Sequence, residues 1–485
     1  MKLRDRYRGM PIQAKASVWY TVCNFLQNGI AFLSIPVYTR ILSTDEYGDW
    51  SVFQSWAGIL IIFASLNLYC GVYTKTLVDM PDGKERDRYT SAMLGLGTLA
   101  TLAMLAIYLL LKAPADRLLQ YDGRTMAMLF LYFAVYPALN FWSARQYVEY
   151  KYRRLIAVTL VLAVLTPAVS ILLLYNTDLR VKAIIQGYLG VNIAFGSFFY
   201  ILQLFRGRVL FHREYWKYAL KFNIPLIPHY LSLIVLGQSD RIMIKHYCGE
   251  SDAGIYSLAY TVANAMNVLT AAVNGSRVPW TYAQLRDRVY GSLKKISSLL
   301  CVMMGLVTLG AALLAPEVVR IMGTEEYRAA VHVVPVVALG VYFTFVYDLF
   351  CGVEFYYGAT KYVMYASVTG AALNVALNAW LIPLYGFTAA AWTTLFCYFV
   401  FMMMHLVFMR KVCRDQGITQ SVYDLKTIFG ISAATAGVVF GARATYGNDL
   451  LRYLFLAALL GICFLMRKKA LEVWARMKNT RGGAA

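Results

Sequence analysis

Gln238, Arg241 and Lys245 stand three and four residues apart, the spacing that gathers side chains on one face of a helix. They lie in a stretch, 219–245, that is otherwise apolar enough for a membrane interior. Two cations four residues apart repel, so the helix by itself gains nothing from them. A bound diphosphate would reverse that sign, with Arg241 gripping two oxygens at once and Lys245 acting as a point charge. The competing reading has both side chains reaching outward to headgroups. Asp240 points about 100° round the helix from Arg241, so it pairs across to another helix or carries a coupling ion. Asp348, the most interior acid of the apolar stretch 328–352, is the second candidate for ion coupling.

Other polar groups sit where lipid makes them costly. Ser17, Tyr20, Asn24, Gln27 and Asn28 form a stripe at helical spacing, with Asn24 and Asn28 the strongest candidates to line a cavity for substrate. Such a stripe must face protein or water. Asn140, Asn374 and Asn378 are weaker candidates of the same kind. Lys75, Arg277 and Lys361 fall near the inner ends of apolar stretches. They are placed either to receive a lipid diphosphate or to anchor helix ends. Arg145 and Glu149, four apart, are expected to pair with each other. Pro225 and Pro228 remove helical hydrogen bonds and mark a hinge or a simple helix start.

These residues need helices that cross a bilayer to hold them. The chain has 485 residues, 59% hydrophobic and 15% charged, and a mean hydropathy of +0.53. Runs such as 91–111, 296–315 and 362–384 are free of charge and long enough to span about 30 Å of hydrocarbon. About fourteen such spans can be placed between residues 16 and 466. Lipid offers backbone groups no partner and the alternation of a barrel is absent, so the spans are α-helical. Of 46 Lys and Arg, 34 fall in the terminal segments and the loops after even-numbered spans, counting span ends with the loops they border. That bias puts both termini in the cytoplasm and accounts for much of the net charge of +20, leaving little reason to invoke nucleic acid. The eight cysteines are scattered without a CxxC pair and read as packing residues. No nucleotide-binding loop, hydrolase elbow or zinc motif occurs in a supporting context, so no cofactor, metal or catalytic residue is expected.

The chain also repeats itself. A shift of 206 residues aligns Gly48 with Gly254, Trp50 with Tyr256 and Ser51 with Ser257, each where an acidic tight loop opens a helix. Spans 1 and 7 run in the same direction, which predicts two parallel six-helix lobes. With Pro36, Arg40, Leu42, Glu46 and Gly48, then Asp240-Arg241 ahead of Gly254 and Tyr256, and the basic run Tyr150–Arg154, the sequence resembles the polysaccharide-transporter branch of the multidrug/oligosaccharidyl-lipid/polysaccharide exporter superfamily, the Wzx-type flippases. The resemblance implies an all-α polytopic fold, with lobes at 1–205 and 219–410 round a central cavity. A cytoplasmic linker at 206–218 would join them, with spans 13–14 and a basic tail at 411–485. It implies a multi-pass protein of the bacterial inner membrane that flips polyprenyl-diphosphate-linked oligosaccharides by alternating access, among membrane lipids and other membrane proteins of polysaccharide assembly. The rivals are a lipid II flippase, a cation/drug antiporter and a membrane glycosyltransferase or polymerase. The antiporter fits poorly with central charges in which cations are prominent. The enzyme fits poorly with outward loops near 112–124 and 316–327 that are too short for a catalytic domain.

Overall fold

A backbone in lipid must satisfy its own hydrogen bonds. The computed structural model, described for residues 11–81 and 83–479, accordingly consists of helices and connecting turns, with no strand among those residues. In chain order the first helices are α1 (Ile12–Ile41), α2 (Thr44–Ser65), α3 (Val72–Asp79), α4 (Lys84–Leu110), α5 (Lys112–Leu119), α6 (Gly123–Val148), α7 (Tyr152–Asn176), α8 (Val181–Gly207) and α9 (Arg213–Asn223). There follow α10 (Ile227–Cys248), α11 (Glu250–Asn264), α12 (Met266–Arg286), α13 (Tyr290–Leu313), α14 (Ala315–Met322) and α15 (Val334–Tyr356). The last four are α16 (Thr360–Tyr385), α17 (Thr388–Asp415), α18 (Leu425–Ala444) and α19 (Asp449–Asn479).

Eleven of the described helical segments are long and apolar enough to cross a membrane. The chain is therefore an all-α, polytopic membrane protein. Spans 1, 2 and 8, which the sequence places near 16–39, 50–74 and 253–276, are helical but fall outside the eleven. They carry the polar positions: Asn24, Gln27 and Asn28 in α1, Gln54 and Ser55 in α2, and Asn264, Asn267 and Asn274 in α11 and α12, which part at Ala265. Span 2, expected to run to residue 74, ends at Ser65. The Ser65 hydroxyl accepts from the Asn67 amide (3.1 Å), Leu66 and Asn67 take left-handed backbone, and the Asn223 amide donates to both their carbonyls at 3.0 Å. The outward loops near 112–124 and 316–327 are largely the short helices α5 and α14.

The described residues divide into two compact units. The first holds those up to Leu42 and Asp49–Gln238; the second holds Ser43–Gly48 and those from Ser239 onward. The division falls inside α10, and α9 stays with the first unit, where the Asn223 amide meets the Leu66 and Asn67 carbonyls.

In the first unit, α8 packs along α6, α7 and α4, and α1 packs on α7. Its aromatic centre stacks Tyr73 on Tyr89 (5.8 Å between centroids), with the Tyr73 hydroxyl 2.7 Å from that of Thr90. Arg145 donates to Glu149 (2.6 Å), the expected pair, and also bonds Asp87, while Arg86 lies 3.7 Å from the same Glu149.

In the second unit α15 is the central helix, buried along most of its length against α17, α13 and α11. The last two helices pack on α13, where Leu313, Val439 and Leu459 share a core. The two copies of the repeat meet here. A Cβ on Gly48 would stand 1.9 Å from the Glu250 carbonyl oxygen, and one on Gly254 would stand 2.2 Å from that of Thr44. Each glycine faces the carbonyl four residues before the other, a reciprocal crossing that obeys the 206-residue shift. Only glycine lets two helix starts approach this closely.

Candidate functional site

The prolines ahead of the singled-out residues do interrupt the helix. After α9 ends at Asn223, Ile224–Leu226 form a 3-10 turn around Pro225, and Pro228 sits in the first turn of α10. A proline in a first turn gives up an amide that would lack a partner anyway.

Twelve residues further on, Asp240 is 1% exposed and anchors a polar cluster in the second unit. Its carboxylate accepts from the Tyr256 hydroxyl of α11 (2.5 Å), the Asn378 amide of α16 (2.7 Å) and the Thr394 hydroxyl of α17 (2.7 Å). The Asn374 amide donates to Thr394 at 3.2 Å, the Ser239 hydroxyl donates to Asn374 at 3.1 Å, and Thr393 bonds Asn378. Three helices thus turn polar groups toward one carboxylate held by a fourth. Burying such a charge is costly unless hydrogen bonds or a counter-charge offset it. The acceptors are all hard oxygens, the donor type that suits alkali and alkaline-earth cations. A half-turn of the Asn378 amide exchanges its donor for an acceptor and completes an oxygen-only set. Asp240 thus engages partners across helices, as its angle to Arg241 requires.

The remaining candidates separate. Arg241 is 9% exposed and its guanidinium lies 4.7 Å from the centre of the Tyr260 ring. Lys245 bridges to Glu250 at 2.9 Å, and Gln238 accepts from the Ser55 hydroxyl at 3.1 Å. Asp348 accepts from the Asn274 amide at 2.9 Å. Arg277 corrects the expectation for the inner leaflet. It is 2% exposed, donates to the Asn274 side chain (2.8 Å) and to the Asp348 carbonyl (3.3 Å), and so braces α12 against α15. Lys75 and Lys361 are exposed, each over an aromatic ring, Phe222 at 5.4 Å and Tyr362 at 5.3 Å. Asn24 and Asn28 are exposed and bonded to each other on the surface of α1.

Sequence reasoning missed Tyr256 as a ligand-side group, together with Thr393, Thr394 and His405. The double threonine in an otherwise apolar run of α17 was the available signal. His405 shares a hydrogen bond of 2.9 Å with Glu354, and both side chains are wholly buried. With Cys351 they place three metal-ligating atoms within 4.8 Å of one another, though the His405–Glu354 bond already engages two of the groups.

Comparison with known proteins follows the same lines. A family profile described as "Polysaccharide biosynthesis protein" matches residues 14–282. "Lsg locus putative protein 1" of Haemophilus influenzae is 24% identical over 293 residues, 56% of this chain and 67% of its own. An uncharacterized membrane protein of the same organism is 24% identical over 73% of this chain and 86% of its own. Among solved structures, lipid II flippase MurJ in an inward closed conformation superposes with a TM-score of 0.67 at 14% identity, covering 93% of this chain and 100% of its own. An inward-facing multidrug resistance MATE family transporter of the MOP superfamily gives 0.59 at 14%, covering 81% and 96%. At such identities these two likenesses establish a shared fold.

Proposed function

Since the chain belongs to the polysaccharide biosynthesis protein family, we propose that it flips polyprenyl-diphosphate-linked oligosaccharide across a bacterial inner membrane by alternating access, coupled to a cation bound at Asp240. Both termini lie in the cytoplasm in this reading. No covalent step is involved. Arg241, Lys245 and Gln238 meet the diphosphate, and the Asn24 and Asn28 stripe lines the glycan path. The break at Pro225 and Pro228 supplies the bend.

The observation that carries the coupling is the carboxylate of Asp240, 1% exposed, with donors from three other helices. A membrane protein keeps such a group where an ion must bind and leave. The exposed polar stripe of α1 supports a wet surface within the bilayer, since polar groups avoid acyl chains. A second reading, lipid II as cargo, is favoured by the likeness to MurJ. Reconstitution with a fluorescent lipid-diphosphate sugar and with lipid II, under imposed cation gradients, tests both. Cation-stimulated movement of the first supports the proposal; movement of lipid II alone replaces it, and movement of neither removes it.

A further inference from the structure

The helix ends on the side that the positive-inside bias assigns to the cytoplasm enclose a groove. It lies within the first unit, between the C-terminal ends of α6 and α8 and the first turns of α7, and has a volume of about 410 Å³. Its inner wall is apolar. Trp142 and Phe199 pack there with centroids 4.4 Å apart and planes tilted by 31°, and Val158 and Leu202 extend the wall. Its rim is basic, with Lys151, Arg154 and Arg206 beside Arg145 and a single acid, Glu149.

Charge does not balance at this rim. Glu149 is committed to Arg145 (2.6 Å) and Lys151 (2.5 Å), and Arg145 is shared with Asp87. Arg154 and Arg206 are both exposed, and neither has a hydrogen bond or ion pair among the described residues. The turn that presents Arg154 is fixed. Tyr150 takes left-handed backbone, and the Lys151 amide donates to the Gln146 carbonyl at 3.0 Å, so α7 begins at once. The first turn of α7 has no acid and no side-chain cap, and Arg153 and Arg154 stand in it. Cations at a helix N-terminus oppose the dipole, and an anion held between them reverses that penalty. The apolar wall beneath the rim suits an anion that carries a lipid chain.

We propose that this groove is a capture site for the diphosphate head of the lipid-linked substrate in the cytoplasmic leaflet, with Arg154 and Arg206 gripping the phosphates and the Trp142–Phe199 wall receiving the first units of the chain. The proposal rests on the function proposed above for its choice of occupant. Two linked phosphates match two free guanidiniums, each able to bind oxygens in pairs. A phospholipid with one phosphate would leave one of them unpaired.

The test is binding of a short-chain polyprenyl diphosphate to the full chain in nanodiscs, with inorganic pyrophosphate and cardiolipin as competitors and with flipping measured in parallel. Arg154→Ala/Arg206→Ala should weaken binding by roughly tenfold or more, the order expected for two charge-assisted contacts. Arg154→Lys/Arg206→Lys should fall between, showing that the fold is intact. Equal binding by wild type and the alanine variant overturns the site. Cardiolipin or pyrophosphate competing as well as the lipid diphosphate overturns its occupant. Binding that depends on both arginines, in a protein that flips no lipid under any gradient, upholds the site and removes the function instead.

Discussion

Replacing Asp240 with Asn should abolish the protein's response to its coupling cation while leaving the fold in place. The carboxylate takes hydrogen bonds from Tyr256, Asn378 and Thr394 at 2.5–2.7 Å. Tyr256 and Thr394 hydroxyls can rotate to accept from a new amide, and Asn378 can turn its own amide over. The rearranged cluster should therefore cost about 1–2 kcal/mol, one imperfect buried hydrogen bond. Asp240→Leu would instead strand three buried donors at about 1–3 kcal/mol each, and should fail to accumulate. For the wild type, a cation at 100 times its dissociation constant adds about 2.7 kcal/mol to stability. For a unit of this size that raises the melting midpoint by roughly 5 °C. The assay is thermal unfolding of purified protein in sodium, potassium, lithium and choline salts of equal ionic strength. One of the three metal cations should stabilise the wild type relative to choline, and none should stabilise Asp240→Asn. A variant that keeps the full cation-dependent shift would refute the assignment.

Three further outcomes follow from packing and charge. Gly48→Ala places a methyl against the Glu250 carbonyl and should cost about 1–3 kcal/mol, whereas Gly97→Ala, which meets nothing within 4 Å, should be neutral or mildly stabilising; equal midpoints for the two would contradict the close crossing. His405→Ala leaves the wholly buried Glu354 without its partner and should cost about 3–5 kcal/mol, much of it recovered in His405→Leu/Glu354→Leu. A double variant no better than the single would show that the pair does not couple α15 to α17. Outside the membrane-spanning segments, the hydrogen bond from Lys182 and the Thr125 amide hold the Asp122 carboxyl down at about 2. A depressed folded value stabilises above the unfolded one, so the advantage of wild type over Asp122→Ala should shrink as pH falls from about 4 toward 2. An advantage that stays constant through that window would dismiss the interaction.

The helices were legible because lipid forces periodic apolar length on every span, and Gly48 and Gly254 were legible because two copies of one motif stood 206 residues apart. The end of α2 at Ser65 was hidden. Asn67 tolerates left-handed backbone, but Leu66 carries no turn signal, and both are held by Asn223, more than 150 residues away. Asp240 could be named from its cost in an apolar helix, and Asn374 and Asn378 could be noted as polar in another. Their convergence, with Tyr256 and Thr394, depends on how four helices pack. Arg277 shows the opposite failure. Near a span end it reads as a cation facing the membrane surface, but the Asn274 side chain and the Asp348 carbonyl draw it inside.

Transbilayer movement of a fluorescent polyprenyl-diphosphate oligosaccharide by the purified protein in sealed vesicles tests the central claim most directly. The wild type should move the lipid faster when a cation gradient is imposed, and Arg241→Ala and Asp240→Asn should each lose that movement. Unassisted rates for the wild type under every gradient, or full rates for both variants, would contradict it.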